Sequence, residues 1–390
     1  MPPQPDSPLR IGIIGLGMAG GGMVSAIRAH PRFVLTGAAD REPALRERFA
    51  RDQAVQVNTD AAELLARDDI DAVYIATPHQ FHCEHAELAA RHGKHAIVEK
   101  PMALSLHDCD RMIAAADHHR TTLIIGHTHS FDPAIARMRE LIEQGEYGRL
   151  AMIAMWNYTD FLYRPRRAEE LDTARGGGIL FNQVPHQVDT ARLLVGSPLQ
   201  RVRAMTGVLD PNRPTEGCCM AFLEFAGGVA VSLVYSGYDH FDSDELHGWI
   251  SEGGVPKQAR HGAARAALQA LGGGAAERDA RRDRFGYNAA AVAAPPTQHQ
   301  PHFGMLVVSC EHADLRPSID GVTVYSDTGL RELSVETSHG RPGRSQVLDE
   351  LYAAVASGTR PRHDGQFGRD TLAACLAIQR SAREHKEIVL

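Results

Sequence analysis

A glycine-rich turn near the start of the chain restricts the fold more than any other feature. The segment IGIIGLGMAGGG places Gly15, Gly17 and Gly20 in a G-x-G-x-x-G pattern, after a β-branched run over 10–14 and at the start of a helical pattern. The first glycine permits a tight turn, the second lets a pyrophosphate approach the backbone, and the third lets helix and strand pack closely. The pattern therefore predicts a dinucleotide-binding unit with phosphates on helix amide groups.

Asp40 is the candidate residue for the cofactor's ribose. It ends a second predicted strand, over 34–39, and follows Gly20 by 20 residues. A carboxylate there can hold both ribose hydroxyls and repels a 2′-phosphate, so the sequence predicts NAD in preference to NADP. Arg41 weakens that preference, because an adjacent guanidinium can accommodate the phosphate. The alternative is a structural turn with an unrelated surface aspartate.

The pattern of predicted elements changes near residues 128–133. Before that point, short strands alternate with helices, at 72–75, 96–98 and 123–125 for strands and 84–92 and 108–119 for helices. This alternation is typical of a parallel sheet with crossover helices. Beyond a helix over 135–144, strands follow one another with few helices between them, which indicates an antiparallel or mixed sheet. The sequence therefore predicts two domains, as its length also does.

Residues 254–302 differ in composition from the rest of the second domain. They are rich in Ala, Arg, Gly and Pro and lack sustained strand alternation. We interpret them as an insertion with a helix over Ala263–Leu271. A lid, an oligomer contact and a poorly ordered spacer remain alternatives.

Net charge and composition limit the partners. A formal net charge of -7 argues against nucleic acid or an anionic membrane surface as the main partner. The first residues show no basic start with a following apolar run, and no stretch reaches the length of a membrane span. The six cysteines form no Cys-x-x-Cys pair. These features predict a cytoplasmic protein with reduced thiols and a small-molecule substrate.

Lys100, in VEKPM, is the first candidate catalytic residue. It follows the fifth predicted strand, at the carboxyl edge where ligands of open α/β sheets bind. A lysine there can stabilise a carbinol oxygen as alkoxide character develops. The alternative is a surface lysine before a helix-initiating proline.

A metal-dependent enzyme is a further alternative for the whole protein, suggested by His79, His82, His85, His127 and His129. No acid or thiol stands at a convincing ligand spacing, so we predict no metal.

An arginine cluster precedes the glycines at 176–178. NYTDFLYRPRRAEELDTARGGG, over 157–178, contains Arg164, Arg166, Arg167 and Arg175 beside aromatic residues. Guanidinium groups bind carboxylates with two parallel hydrogen bonds, so we predict that Arg164, and after it Arg166, hold an anionic substrate. We interpret Arg167 as a solvated helix-start residue and Arg175 as an anchor of the glycine turn. A salt-bridged surface loop is the alternative.

Several segments together resemble the Gfo/Idh/MocA family of oxidoreductases. They are GLGMAG, ATPHQFHCEHA, GKHAIVEKPM and GGGILFNQVPHQVDTARLLVG. The resemblance implies an α/β protein: an N-terminal Rossmann domain with a doubly wound parallel sheet over 1–130, and a C-terminal α/β domain over 131–390. The latter has a large, open, mostly antiparallel sheet, and the chain forms a homodimer or homotetramer through it.

The same resemblance implies the site residues. Lys100 and His186 act at the substrate carbinol, with His186 as general base. The implied cofactor residues are Gly15, Gly17, Met18, Ala19, Gly20, Asp40, Arg41, Ala76, Thr77, Pro78, His79, His82, Glu99 and Lys100. The implied substrate residues are Lys100, His127, Trp156, Tyr158, Arg164, Arg166, Asn182 and His186.

One position departs from the family pattern. Asn182 stands four residues before His186, where the family usually has an acid. Positions four apart share a face of a helix, so Asn182 is expected to touch a ligand near His186 without lending it negative charge. Asp189, three residues after the histidine, is expected to supply that charge if it lies on the same face. The alternative is that His186 is a satisfied pocket histidine.

Within the family, the chain is most similar to phthalate 4,5-cis-dihydrodiol dehydrogenases. The segments that carry this likeness are MWNYTDFLYRPRRAEELDTARGGGILFNQVPHQVD, GHTHSFDP and LVYSGYDHFDSDE. It implies NAD-dependent oxidation of an anionic cis-dihydrodiol dicarboxylate to the catechol 4,5-dihydroxyphthalate. A sugar or inositol dehydrogenase is the first alternative, and a non-catalytic dinucleotide-sensing regulator is the second.

Overall fold

The computed structural model describes residues 7–126, 128–285, 287, 297–336 and 343–390. They divide into two compact units, each assembled from three stretches of chain. The first unit comprises Met1–His127, Arg282–Pro295 and His339–Leu372. The second comprises Thr128–Arg281, Pro296–Ser338 and Ala373–Leu390.

Helices and strands alternate up to the sixth strand and then give way to longer runs of strands. The strands are β1 (Leu9–Ile14), β2 (Phe33–Ala39), β3 (Gln56–Asn58), β4 (Ala72–Ile75), β5 (His95–Val98), β6 (Leu123–Ile125), β7 (Leu150–Tyr158), β8 (Leu199–Gly207), β9 (Cys218–Phe225), β10 (Ala230–Ser236), β11 (Met305–Cys310), β12 (Ala313–Pro317), β13 (Gly321–Ser326), β14 (Gly329–Ser334) and β15 (Ile388–Val389). The helices are α1 (Met18–Ala29), α2 (Pro43–Gln53), α3 (Ala61–Leu65), α4 (His82–Arg91), α5 (Leu106–His119), α6 (Pro133–Gln144), α7 (Gly178–Asn182), α8 (Val184–Val195), α9 (Ala263–Leu271), α10 (Gly274–Phe285), α11 (Arg344–Ser357) and α12 (Gly365–Glu384).

The first unit contains a six-stranded sheet in the order β3-β2-β1-β4-β5-β6. All five strand pairs are parallel. Strand β4 is buried at every position, as expected for a parallel strand covered on both faces. The strand order reverses between β1 and β4, and ligands of such sheets bind beyond the carboxyl ends of the strands there. The predicted doubly wound parallel sheet is confirmed.

Residues from late in the chain complete this first unit. The ring of His30, at the end of α1, lies with Nε2 2.9 Å from Oδ1 of Asp349 on α11. Gln53 donates a hydrogen bond of 2.8 Å to the hydroxyl of Tyr287, whose ring packs against Phe49. The first unit therefore contains contacts between residues that are more than one third of the chain apart in sequence.

The second unit is built on a nine-stranded sheet in the order β14-β13-β12-β11-β7-β10-β9-β8-β15. Strands β7 and β10 pair in parallel. The remaining seven pairs are antiparallel. The prediction of a large, mostly antiparallel C-terminal sheet is confirmed.

Alternation along the central strands divides this sheet into a covered face and an open face. On β9, Ala221 and Leu223 are buried, whereas Met220 and Phe222 are 63% and 50% exposed. Helices α6 and α8 pack on the covered face. The open face, defined here by Met152, Met205, Met220 and Phe222, carries large apolar side chains that are all at least half exposed.

The segment with unusual composition contains two helices. Helix α9 has the bounds predicted from the sequence, and α10 begins at Gly274, the third of three consecutive glycines. Within the residues that the structure describes, no helix is both long and apolar enough to cross a membrane.

The contact between β1 and α1 gives a stability prediction. A Cβ added at Gly20 would stand 1.9 Å from the carbonyl oxygen of Gly15, whereas a Cβ at Gly17 would meet nothing within 4 Å. Alanine gains about 0.5–1 kcal/mol over glycine inside a helix, but an overpacked core costs about 1–3 kcal/mol. Once the helix gain is subtracted from the packing cost, Gly20→Ala should lower the free energy of unfolding by up to about 2.5 kcal/mol, measured by urea unfolding without cofactor. Gly17→Ala is the matched control and should stay close to wild type; equal stability of the two variants would contradict this packing.

Candidate functional site

The glycine turn after β1 is shaped to leave backbone amides accessible. Gly15 has φ of +95°, and a Cβ there would stand 2.7 Å from the carbonyl oxygen of Ala76 after β4. Gly17 has open space around it, and Met18, the first residue of α1, is 55% exposed. An exposed helix N-terminus with no side chain at Gly17 fits the pyrophosphate of a dinucleotide.

Asp40 is bound to the same turn. Its Oδ2 accepts a hydrogen bond of 2.7 Å from the Leu16 N–H, and its Oδ1 accepts one of 2.8 Å from the Glu42 N–H. These bonds orient the carboxylate at the end of β2, and each oxygen keeps acceptor capacity for a hydroxyl. Arg41 is exposed, with its guanidinium carbon 5.5 Å from the centroid of the Phe81 ring. The turn and Asp40 together fit the adenosine half of NAD.

Lys100 follows β5 and is positioned through its neighbour Glu99. The buried Glu99 carboxylate accepts hydrogen bonds from the Tyr74 hydroxyl and, at 3.2 Å, from the Lys100 N–H. Burial, and after it the charge of Glu99, raises the pKa of Tyr74 well above its usual value, so this phenol stays a donor. The backbone at Lys100 is therefore tied to a buried acid.

The loop after β4 supplies the other predicted cofactor residues. Ala76, Thr77, Pro78 and His79 lie at the carboxyl edge of the sheet, with Pro78 exposed. His82 differs, because it is fully buried and its ring nitrogens lie 2.9 and 3.0 Å from the carbonyl oxygens of Thr77 and Pro101. Its place in the structure is therefore a link between two loops.

In the second unit, His186 lies on α8 beyond a break in the helix. The backbone leaves the helical region at Gln183 (φ −124°, ψ −51°), between α7 and α8, and Pro185 then occupies the first turn of α8. The expectation that Asn182 and His186 share one helix face is therefore wrong. Instead, the Asn182 amide donates to the carbonyl oxygens of Gly176 and Gly178, at 3.1 and 2.8 Å, and so stabilises the glycine turn.

Asp189 is engaged by hydroxyl groups from the segment before α6. Its Oδ2 accepts hydrogen bonds from Thr128 and Ser130, and all three side chains are buried. Through these bonds α8 is attached to the stretch that contains His129. The Asp189 carboxylate thus fixes the backbone around a second histidine beside His186.

His129 is a residue that our sequence analysis considered only as a metal ligand. Its ring centroid lies 5.0 Å from that of His186, and its Nδ1 lies 2.7 Å from Oδ2 of the buried Asp132. Phe303 packs against both histidines, with centroid distances of 4.7 and 4.9 Å. The motif GHTHSFDP, which contains both His129 and Asp132, was the available sequence signal for the pairing of these two residues. The neighbouring candidate His127 lies outside the described residues.

Arg164 and Arg166 are paired with groups of the protein in different ways. Nε of Arg164 donates to Asp160 at 2.6 Å, while Nη2 lies 3.9 Å from Glu252, beyond hydrogen-bonding distance. Burial lowers the pKa of Arg164, but the charges of Asp160 and Glu252 outweigh it and raise that pKa. Arg166 donates twice to the Phe161 carbonyl and lies 3.8 Å over the Phe161 ring. Arg164, with its side chain 25% exposed, is the more available of the two.

The remaining arginines of this cluster lie at the surface. Arg167 is exposed and approaches Glu169 and Glu170, as expected for a helix-start residue. Arg175 is also exposed, directly before Gly176, which has φ of +81°.

Glu252 is a further residue that the sequence did not single out. It accepts a hydrogen bond of 3.3 Å from Asn157 and approaches Arg164. Burial, and after it the charge of Glu252, raises the pKa of Asp244 to about 7. Glu252 therefore brings negative charge into the region that holds Arg164. No sequence motif indicated this residue.

Strand alternation separates two predicted substrate residues from His186. On β7, Met155 and Asn157 point to the covered face, where α8 lies, whereas Trp156 and Tyr158 occupy the alternate positions. The structure therefore does not bring Trp156 and Tyr158 together with His186. Tyr158 instead contacts Phe241, at a centroid distance of 5.6 Å.

Metal ligands do not cluster in the part of the chain that the structure describes. No group of three or more His, Cys, Asp or Glu side chains there has the arrangement of a metal site.

Comparison with known proteins identifies the family. The model of an oxidoreductase family with an NAD-binding Rossmann fold, GFO_IDH_MocA, matches residues 9–127, and the GFO/IDH/MocA C-terminal domain matches 135–253. Over 376 residues the chain is 43% identical to the 1-carboxy-3-chloro-3,4-dihydroxycyclohexa-1,5-diene dehydrogenase of Comamonas testosteroni, covering 95% of this chain and 94% of that one. It is 32% identical over 203 residues to inositol 2-dehydrogenase of Rhizobium meliloti (strain 1021), covering 52% of this chain and 59% of that protein.

A solved structure agrees with this result. The structure of a protein from Bordetella bronchiseptica RB50 has a TM-score of 0.95 and 46% identity, and the match covers 98% of this chain and 100% of that chain. The chain belongs to the Gfo/Idh/MocA family of oxidoreductases, and its first unit is the family's NAD-binding Rossmann fold.

Proposed function

We propose that this oxidoreductase oxidises a carboxylated cyclohexadiene cis-diol to the corresponding catechol, with NAD as cofactor. The specific substrate that we propose is phthalate 4,5-cis-dihydrodiol, and the product is 4,5-dihydroxyphthalate. The relative from Comamonas testosteroni supports the class, because its name describes a cyclohexadiene with one carboxyl group and two adjacent hydroxyls. Retention of both Lys100 and His186 favours an enzyme over a dinucleotide-sensing regulator, which would need neither.

One observation carries the carboxylated substrate: a fixed cation borders the same cluster as His186. Phe303 packs on His186 and lies 6.0 Å from Tyr235, ring centroid to ring centroid. Arg164 approaches this cluster through Glu252, which lies 3.9 Å from its guanidinium and accepts a hydrogen bond from Asn157, and Asn157 packs against Gly304, the residue after Phe303. A ring carboxylate on Arg164 would therefore place a diol carbon toward His186.

The residues divide the chemistry between them. His186 accepts the proton of the hydroxyl group that is oxidised. Lys100 donates a hydrogen bond to that oxygen and stabilises its negative charge as the proton leaves. NAD, when bound, supplies the hydride acceptor. The hydroxy-enone that results loses a ring proton and gains one on oxygen, and the aromaticity of the catechol draws the oxidation forward.

A polyol substrate of the inositol or sugar type is the second candidate. The acids Asp132, Asp160 and Glu252 near His129 and Arg164 favour it, because carboxylates accept hydrogen bonds from several hydroxyls. The two candidates are separated by incubating the protein with NAD and either a cis-diol or myo-inositol, and measuring NADH by its absorbance. The regulator alternative predicts no NADH with either.

We also propose that the open face of the second sheet binds a second copy of this chain. Four large apolar side chains, Met152 on β7, Met205 on β8, and Met220 and Phe222 on β9, are each at least half exposed. Monomeric proteins seldom expose contiguous apolar patches, so a covered face is favoured. A homodimer would cover it, and a homotetramer would add a further contact.

Substitution of the two catalytic candidates is the direct test of the chemistry. Lys100→Ala should leave NAD binding nearly unchanged and lower kcat by about two to four decades, the loss typical of an acid–base or oxyanion group. His186→Ala should lower kcat by a similar factor and remove the acid limb of the pH–rate profile. NAD binding is measured by calorimetry, and kcat by NADH formation. Near-normal kcat at neutral pH in either variant removes that residue from the mechanism.

A second test of the proposed function concerns the charge of the substrate. Arg164→Ala should raise KM for phthalate 4,5-cis-dihydrodiol by about tenfold or more, since a charge-assisted hydrogen bond contributes about 1.5–3 kcal/mol. KM for the uncharged benzene cis-dihydrodiol should change little. The exposed arginine at position 167 provides a control, and Arg167→Ala should affect neither substrate. Equal losses on both diols in Arg164→Ala would refute the carboxylate role.

The third prediction concerns assembly. Phe222→Glu should convert the oligomer to a monomer in sedimentation experiments, because a charge would be buried in the apolar contact. Leu271→Glu, on the exposed end of α9, is the control and should leave the assembly unchanged. A monomeric wild type would contradict the proposal, whereas dissociation by Leu271→Glu alone would assign the contact to the segment at 254–302.

A further inference from the structure

Helices α9 and α10 contact the Arg164 segment on both sides of that arginine. On the N-terminal side, the guanidinium carbon of Arg265 lies 4.1 Å from the centroid of the Tyr163 ring. Arg265 is itself held, because its N–H donates to Asp239 and its guanidinium donates to the carbonyl of Tyr238, at 2.9 and 3.1 Å. Helix α9 therefore packs directly before Arg164.

Helix α10 binds the same segment on the C-terminal side. Oε1 of Glu277 accepts hydrogen bonds of 2.8 Å from both the Arg166 N–H and the Arg213 guanidinium. One turn later, Arg281 donates through Nε and Nη2 to the two oxygens of Glu170, at 3.0 and 2.8 Å. Two acids and two arginines thus fix the backbone between Arg166 and Glu170.

These ion pairs are shielded from water, which distinguishes them from surface pairs. The side chains of Arg213 and Glu277 are 7% and 13% exposed, and those of Arg281 and Glu170 are 16% and 18% exposed. Burial alone would raise the pKa of Glu170, but the hydrogen bonds and charge of Arg281 outweigh it and hold that pKa at about 2. Removing one partner of such a pair leaves an uncompensated charge, so these contacts restrict the segment strongly.

We infer that the α9–α10 segment is a positioning device for Arg164, with Glu277 as its central residue. Glu277 accepts a hydrogen bond from the N–H of Arg166, two residues beyond Arg164. The same carboxylate pairs with Arg213, which lies 47 positions beyond Arg166. The device determines substrate specificity, because it sets where the guanidinium of Arg164 meets a ring carboxylate. This inference rests on the proposed function. It also gives helices α9 and α10 a role other than lid, spacer or oligomer contact.

The test is a neutral replacement of the central acid. Glu277→Gln keeps an acceptor for the Arg166 N–H but removes the charge that binds Arg213. We expect KM for phthalate 4,5-cis-dihydrodiol to rise about tenfold with kcat nearly unchanged, since misplacement of a binding group by about 1 Å can cost up to 10²-fold. KM values for benzene cis-dihydrodiol and for NAD should stay at wild type. Amide hydrogen exchange, followed by mass spectrometry, should accelerate in peptides covering 160–171 and not in those covering β9.

Three further variants keep the inference falsifiable. Arg278, exposed on the same helix, provides the matched control, and Arg278→Gln should match wild type in every readout. If Glu277→Gln does not fold, Arg281→Lys takes its place, because it keeps the charge and loses the paired hydrogen bonds to Glu170. Glu277→Asp should restore most of the selectivity.

The outcomes separate this inference from the proposed function. If Arg164→Ala is selective for the dicarboxylate but Glu277→Gln changes neither KM nor exchange, the proposed function stands and the positioning role is refuted. Equal effects of Glu277→Gln on both diols would likewise refute positioning and leave only a contribution to stability. If Arg164→Ala affects both diols equally, the carboxylate role fails and the positioning role fails with it, whatever the exchange rates.

Discussion

The close approach of α1 to the turn after β1 is the constraint on which the first unit depends. Gly20 touches the carbonyl of Gly15, and Gly15 in turn leaves no room for a side chain against Ala76 at the end of β4. Because the two contacts join strand, turn and helix, they set the helix N-terminus at the point where the strand order reverses. Asp40 then bonds to the turn itself, so the residues that we expect to hold phosphate and ribose lie in one small region.

In the second unit, the corresponding constraint is the two-residue period of the central strands. It directs Asn157 to the covered face with α8 and sends Trp156 and Tyr158 to the other positions. The histidines reach the covered face from α8 and from the segment before α6, and the Asp189 carboxylate links the two. Phe303, from a segment much later in the chain, packs against both histidine rings. The chemistry of this region is thus assembled from elements that are distant in sequence.

The arginines of the cluster before the glycine turn have different partners within the protein. Arg166 donates hydrogen bonds to the Phe161 carbonyl, and Arg281 pairs with Glu170. Arg164 lies between Asp160 and Glu252, with 25% of its side chain exposed. Burial, and next the charge of Arg164, lowers the pKa of Arg166 to about 9. The two arginines therefore differ in their partners, because Arg164 lies against two acids whereas Arg166 is held by a backbone carbonyl.

The sequence by itself determined those features that depend on neighbours within a few residues. The glycine spacing predicted the first strand–turn–helix unit, Lys100 was placed at a strand end, and the alanine pattern gave the helix over Ala263–Leu271. What only the tertiary structure decided were contacts between distant residues. Glu170 and Arg281 are 111 positions apart, Thr128 and Asp189 are 61 apart, and no local period encodes such pairs. The break at Gln183 is a local feature instead, because Pro185 in the first turn of α8 has no N–H to donate to the carbonyl four residues earlier. A side chain's neighbours across a sheet or a helix pair follow from packing, and packing exists only once the whole chain has folded.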